Sequence, residues 1–324
     1  MEIRITHLDG KLPNIALMKL SHWHKSNGDN VHFYRTARKE LFEPKYDVVY
    51  GSSIFSFNEK KQQTFLKSFP NAIVGGTGFK SLKTIEAHIG ILRYEKYDYK
   101  LYPEFENSIG FTQRGCRLKC KFCVVGKKEG ANVDNDLVAN IWRGDPYPKN
   151  LILLDNDFFG QPNWESKANE IIDGNFRACF CQGINIRLID DKSAQVLPHI
   201  QYYDNKFKNR RLYTAWDNLG DEKIFLKGAK KLQDQGIPMR HLMVYMLIGF
   251  KKNETMGDIL YRFNILKNLG CLAYPMVYNN KDKELKRFQK WAVRRYHEFV
   301  AWEDYSAAGA RASKKNPAQI AMNL

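Results

Sequence analysis

Short apolar runs alternate with stretches of helical periodicity along most of this 324-residue chain. That alternation is the strongest constraint on its fold, because strand–helix–strand connections generate parallel sheets. Ile3 to Leu8 reads as a strand closed by Asp9-Gly10. Apolar residues then recur at helical spacing (Ile15, Leu17, Met18, Leu20, Trp23) until Asn27-Gly28. Val31 to Tyr34 and Tyr46 to Tyr50 are further strands, Gln62 to Phe69 a helix, and Ala72 to Gly76 a strand entering a glycine turn. This β-α-β-β-α-β order predicts a Rossmann-like, doubly wound domain over residues 1–103, with residues 80–103 as connector. Gly75, Gly76 and Gly78 either admit a ligand to the backbone or make a tight turn.

From Ser108 onward strand, loop and helix repeat. The predicted strands are Ser108–Thr112, Asn150–Leu154, Ala178–Asn185, Arg211–Ala215, His241–Ile248 and Ala273–Val277. Helices between them are clearest at Asp221–Gln235 and Thr255–Leu269, stopped by Gly236 and Gly270. Six such units over residues 104–280 predict a partial (β/α)6 barrel of the TIM type, with ligands at the carboxyl ends of its strands. The last segment, 281–324, carries a basic amphipathic helix from Leu285 to Val300, with Phe288, Trp291, Ala292, Val293 and Phe299 on its apolar side. A polar, disordered tail is expected after Tyr305.

Three of the six cysteines fall together, at Cys116, Cys120 and Cys123, directly after the first barrel strand. Three thiolates on eight residues suit three corners of an iron–sulfur cube. Zinc is the weaker reading, because it wants four ligands and Cys179 and Cys181 are the next candidates, over fifty residues on. A disulfide framework is disfavoured by the absence of a signal sequence or extracellular pattern.

With Phe122 just before the third cysteine, the segment Cys116-Arg117-Leu118-Lys119-Cys120-Lys121-Phe122-Cys123 resembles the signature of the radical S-adenosylmethionine (SAM) superfamily. The resemblance implies a 4Fe–4S cluster on the three cysteines, with the fourth iron chelating SAM and cleaving it reductively to a 5′-deoxyadenosyl radical. It also implies the barrel fold and an electron donor such as a flavodoxin or ferredoxin. The first hundred residues resemble the cobalamin-binding domain of one branch, through Ala16 to Ser21 and Ile73 to Gly78. That domain's Asp-x-His-x-x-Gly cobalt-ligand motif is absent: His7 precedes the turn, and His22 and His24 lie on the helix. A degenerate domain that no longer holds cobalamin is the favoured reading.

Further candidate cofactor contacts stand at strand ends. Asp155, Asn156 and Asp157 follow the second barrel strand, where relatives contact the SAM amino group, although an Asx turn also suits them. Asn185 and Arg187 follow the third and alternate onto one face, suited to the ribose and carboxylate of SAM, or to a plain salt bridge. Trp216 and Asp217 end the fourth strand as candidates for the substrate cavity. Gly249 ends the fifth, at a position resembling the segment that packs on adenine. Cys179 and Cys181 read as buried thiols before a second cluster or radical partner, and Cys271 as structural.

The chain carries 51 Lys+Arg against 35 Asp+Glu, a formal charge of +16. Arg114, Arg117, Lys119, Lys121, Lys127 and Lys128 crowd the cysteine loop. This balance favours a polyanionic substrate, a nucleic-acid base or nucleotide, over the alternatives of a peptide or small metabolite. A non-catalytic nucleic-acid-binding protein with a structural cluster is the rival of another class. No apolar run reaches membrane-spanning length, so a cytoplasmic chain with no membrane partner is expected.

Overall fold

The first strand, β1 (Glu2–His7), is buried from its second residue onward, as a central parallel strand must be. It leads into α1 (Ile15–Ser26), whose N-cap Asn14 accepts from the Leu17 amide. β2 (Asn30–Tyr34), β3 (Val48–Ser52), α2 (Glu59–Ser68) and β4 (Ile73–Gly75) complete a four-stranded sheet of order β2-β1-β3-β4. All three pairings are parallel, with Ile3 beside Val31, Ile5 beside Tyr50 and Tyr50 beside Ile73. The element order expected from the sequence is therefore the order found. The computed structural model describes residues 1–306 apart from Leu82, Leu92, Arg93, Asn132 and Asn135, and the chain divides into two compact units. The first comprises Met1–Asn156 with Gly160–Glu170; the second comprises Asp157–Phe159 and the chain from Ile171 onward.

Within the first unit, Ile3 and Ile5 pack with Leu17, Leu20 and Tyr50. Full burial of each aliphatic side chain contributes about 1.5–3 kcal/mol. Arg4 alternates to the other face and is fully buried. Its guanidinium pairs with Glu43 at 2.7 Å, lies over the Tyr34 and Phe69 rings, and donates to the carbonyls of Thr36 and Arg38. Such pairing offsets the several kcal/mol needed to desolvate an ion. Residues 80–103, read as a connector, are fastened to α1. A short helix there, α3 (Ile85–Ile89), supplies Glu86, which joins Glu95 in holding Lys19 at 2.6 and 2.7 Å. Asp98 accepts from Ser21 and Lys25, each at 2.6 Å.

The unit continues through β5 (Ser108–Gly110), β6 (Gln113–Arg114), α4 (Val125–Lys128), β7 (Val133–Asp134), α5 (Val138–Ile141) and β8 (Asn150–Leu153). β5 and β8 pair in parallel, Ile109 beside Ile152, while β6 and β7 form an antiparallel clasp. α6 (Trp164–Asp173) follows.

In the second unit β9 (Arg177–Phe180), α7 (Asp191–Val196) and β10 (Gln201–Tyr202) precede β11 (Leu212–Ala215), α8 (Glu222–Asp234), β12 (Leu242–Ile248), α9 (Met256–Asn268), β13 (Leu272–Val277) and α10 (Lys283–Val293). β9 pairs with β10, and β11-β12-β13 form a three-stranded sheet, all in parallel. The strand expected to reach Asn185 stops at Phe180; Gly183 turns with φ +92°, and the Ile184 amide then bonds to Tyr213 at 2.8 Å. The two-residue β10 was not legible, because its apolar content is one tyrosine. The C-terminal helix ends at Val293 and not Val300, since Arg295 enters the left-handed region at φ +61°. The tail expected after Tyr305 lies, from residue 307, outside the described residues. Among the described residues no helix is long and apolar enough to cross a membrane. The chain is thus an α/β protein built on parallel sheets.

Candidate functional site

The cysteine loop is tied at both ends. The clasp of β6 with β7 sets Gln113 beside Asp134 and Arg114 beside Val133, so the chain between them must return on itself. The Cys116 amide bonds to the Gly130 carbonyl at 3.3 Å. Gly115 has φ +82°, and a Cβ there would lie 2.1 Å from the Ala131 carbonyl oxygen, so only glycine fits. Glu129 gathers the loop: its carboxylate pairs with Arg114 at 3.0 Å and accepts from the Gly115 amide at 3.1 Å and from Asn156 at 3.3 Å. Arg114 also covers the Phe111 ring at 4.0 Å.

Cys116, Cys120 and Cys123 are in no disulfide and each half-buried, and Phe122, also half-buried, precedes the third. The Leu118 amide approaches Cys116 Sγ at 3.4 Å, and the Cys123 amide bonds to the Cys120 carbonyl at 3.0 Å in a tight turn. Among the described residues, no three His, Cys, Asp or Glu side chains are gathered about a point that would hold a single metal ion. The donor chemistry nevertheless fits a cluster in number and kind: three thiols on one loop, reachable from solvent, with an amide directed at sulfur.

Asp155 is engaged just upstream of that loop. It is 2 % exposed; Oδ1 accepts from the amides of Thr112 and Gln113 at 2.8 and 2.9 Å, and Oδ2 lies 2.8 Å from Thr112 Oγ1. Gln161 also donates to Thr112 Oγ1, at 3.1 Å. Burial pushes the Asp155 carboxyl up to about 7. Asp155 therefore braces the turn between β5 and β6, and Asn156 braces Glu129. For Asp155 and Asn156 these longer-range contacts stand where an Asx turn was the alternative.

The remaining candidates belong to the second unit. Asp157 is fully buried. Asn185 is half-buried and precedes a single 3-10 turn, Ile186–Leu188. Arg187 pairs with Asp221 at 3.0 Å, and Asn218 donates to the same carboxylate at 3.3 Å. Trp216 is fully buried, stacked on Phe225 at 4.9 Å, with its indole N–H on the Asn218 carbonyl. Asp217 accepts from the Leu247 amide at 3.1 Å, and burial raises its carboxyl. Gly249 has φ +74°, its amide donates to Glu254 at 2.7 Å, and a Cβ would meet Leu285 of α10 at 2.4 Å. α10 thus covers the backbone where close approach was expected to serve adenine.

Sequence reasoning missed Arg262, a fully buried residue of α9 that donates to the carbonyls of Trp216 and Leu247 at 2.9 and 3.1 Å and pairs with Glu254 at 2.5 Å. It locks the carboxyl ends of β11 and β12. Its signal was an arginine on the apolar side of a helix. Cys179 and Cys181 interact with each other; that contact and burial hold the Cys179 thiol up, and the same contact lowers Cys181. Cys271 is buried.

In the first unit His7 is 2 % exposed, bonded through Nδ1 to Tyr102 at 3.1 Å, and burial lowers it to about 4. His22 meets Tyr94, and His24 meets Asp29 and Tyr50. No protein-family model matches the chain, and no curated protein shows significant similarity to it.

Proposed function

We propose that the chain is a radical SAM enzyme whose cluster is held by Cys116, Cys120 and Cys123. The observation that carries this reading is the three-thiol loop after the first strand of the β5/β8 pair, clasped at its base and short of a fourth cysteine. When bound, a 4Fe–4S cluster with SAM on its fourth iron would supply the electron that cleaves SAM to a 5′-deoxyadenosyl radical. The chain's own residues hold the ligands ready. Gly115 lets the loop lie against residues 130–131, Glu129 ties its two ends, and Asp155 fixes the turn before it. The Leu118 amide directed at Cys116 Sγ stabilises negative charge on that sulfur.

The finer fold in this reading is a Rossmann-like N-terminal domain followed by a partial barrel, supported by the parallel order β2-β1-β3-β4 and by the parallel pairings of β5 with β8, β9 with β10, and β11, β12 and β13. The resemblance assigns a SAM contact to Asn156 in the first unit. Between β1 and α1 the chain reads Leu8-Asp9-Gly10-Lys11-Leu12-Pro13-Asn14, without a histidine, and His22 and His24 have protein partners. These residues do not offer the cobalt ligand of that motif, and the reading does not require cobalamin. The exposed Lys119, Lys121 and Lys127 on the loop suit an acidic electron carrier such as a flavodoxin or ferredoxin. The excess of 51 basic over 35 acidic residues favours a nucleic-acid base or nucleotide as substrate.

Anaerobic reconstitution tests the proposal. Iron and sulfide should load together and give a reduced-state electron paramagnetic resonance signal that SAM alters. A fully loaded cluster indifferent to SAM would defeat the enzyme reading and leave a structural cluster.

A further inference from the structure

The first unit contains a basic cavity well removed in sequence from the cysteine loop. It has a volume of about 470 Å³ and is lined by Arg38, Lys39, Thr64, Lys67 and Ser68. Thr64, Lys67 and Ser68 recur at i, i+3 and i+4, so they share one face of α2. Arg38 and Lys39 come from the connection between β2 and β3. Among the described residues none of the three cations is paired with a carboxylate, and no acid lines the cavity. Of the three acids in the same connection, Glu43 is taken by the buried Arg4 at 2.7 Å, Glu40 accepts from the Thr36 hydroxyl at 3.1 Å, and Asp47 accepts from the Glu2 amide at 2.7 Å.

The wall is built and not merely charged. Arg4, fully buried, donates to the carbonyls of Thr36 and Arg38 at 3.4 and 3.2 Å, which fixes the backbone that carries Arg38 and Lys39. The same connection then presents Leu41 and Phe42, 88 % and 94 % exposed. Phe42 follows Lys39 by three residues, so at most about 11 Å of chain separates them. Unpaired cations beside an exposed aromatic ring match the two needs of single-stranded nucleic acid, neutralised phosphates and a stacking surface for bases.

We propose that this cavity binds the phosphodiester backbone of a single-stranded nucleic acid, with Phe42 as a stacking platform for one of its bases. Thr64 and Ser68 donate their hydroxyls to the carbonyls of Lys60 and Thr64 at 2.9 and 3.1 Å, so the phosphate contacts fall to Arg38, Lys39 and Lys67. The inference rests on the nucleic-acid part of the functional reading and not on the cluster, so the two fail separately.

The test uses the full chain and fluorescently labelled single-stranded DNA and RNA of mixed sequence, with binding followed by anisotropy across a salt series. The triple variant Arg38→Ala/Lys39→Ala/Lys67→Ala should lower the slope of log affinity against log salt by about 2, and weaken binding about 100-fold at about 0.1 M salt. Phe42→Ala should weaken it by about tenfold with the slope unchanged. A charge-matched control, Lys206→Ala/Lys208→Ala/Lys227→Ala, removes three exposed lysines of the second unit and should leave most of the binding in place. Circular dichroism checks that each variant is folded. Equal losses in the two triple variants would overturn the proposal, because binding would then follow net charge alone. So would an unaltered groove variant, preference for duplex over both single strands, or no binding by the unmodified chain at low salt. SAM cleavage without substrate, measured on the groove variant, should be unchanged; its absence from every sample would remove the radical reading and leave this one standing.

Discussion

Replacing Asp155 by asparagine isolates the physics at the base of the cysteine loop. The carboxyl is raised from 3.8 to about 7 because it lies inside the first unit, where solvation is lost. In its neutral form Oδ1 still accepts the amides of Thr112 and Gln113, while the proton on Oδ2 points to Thr112 Oγ1. Asparagine reproduces that state, with its Nδ2 donating to the same hydroxyl. The folded state therefore keeps a proton that the unfolded chain releases as pH rises. Stability from this group is full below 3.8, falls as pH climbs, and levels off above about 7. The gap between 3.8 and about 7 corresponds to about 4 kcal/mol, an upper bound given the accepting geometry. Urea unfolding of both proteins between about pH 4 and pH 8 reads the difference directly. The two should be near equal at the acid end, with D155N more stable by up to about 4 kcal/mol at the alkaline end. A variant that is weaker at the alkaline end, or a difference independent of pH, would show that the three donors keep Asp155 ionised and would refute the burial argument.

Two further outcomes follow from the same contacts. Gly115→Ala forces a Cβ within 2.1 Å of the Ala131 carbonyl oxygen at φ +82°, and should cost about 1–3 kcal/mol and lower iron loading, measured as iron per chain after reconstitution. Arg262→Met strands Glu254 and the carbonyls of Trp216 and Leu247; a loss of about 3–5 kcal/mol in thermal or urea unfolding is expected, with part recovered by adding Glu254→Gln.

Local pattern made much of the scaffold legible. The order β1-α1-β2-β3-α2-β4 could be read because each element carries its own periodicity and stop, such as Asn27-Gly28 after α1, as Gly236 does after α8. The cysteine loop could be placed after β5 for the same reason. What stayed hidden depends on partners distant in sequence. The clasp of Gln113 with Asp134, the two amides and the hydroxyl around Asp155, and Leu285 over Gly249 join residues whose local sequence gives no sign of one another. Trp216 illustrates the difference between location and exposure: it ends its strand as expected, yet its ring is stacked on Phe225 inside the second unit. Arg187 likewise stands after β9 as expected and is held by Asp221. The end of α10 was misjudged because apolar spacing continues through Phe299, whereas the backbone turns at Arg295.

The central claim is tested most directly by measuring 5′-deoxyadenosine. The anaerobically reconstituted chain, reduced in the presence of SAM, should release 5′-deoxyadenosine and methionine in equal amounts. Cys116→Ala, Cys120→Ala and Cys123→Ala should each abolish both products, while Cys271→Ala should not. A chain loaded with about four irons and four sulfides that yields no 5′-deoxyadenosine above a protein-free control would contradict the account.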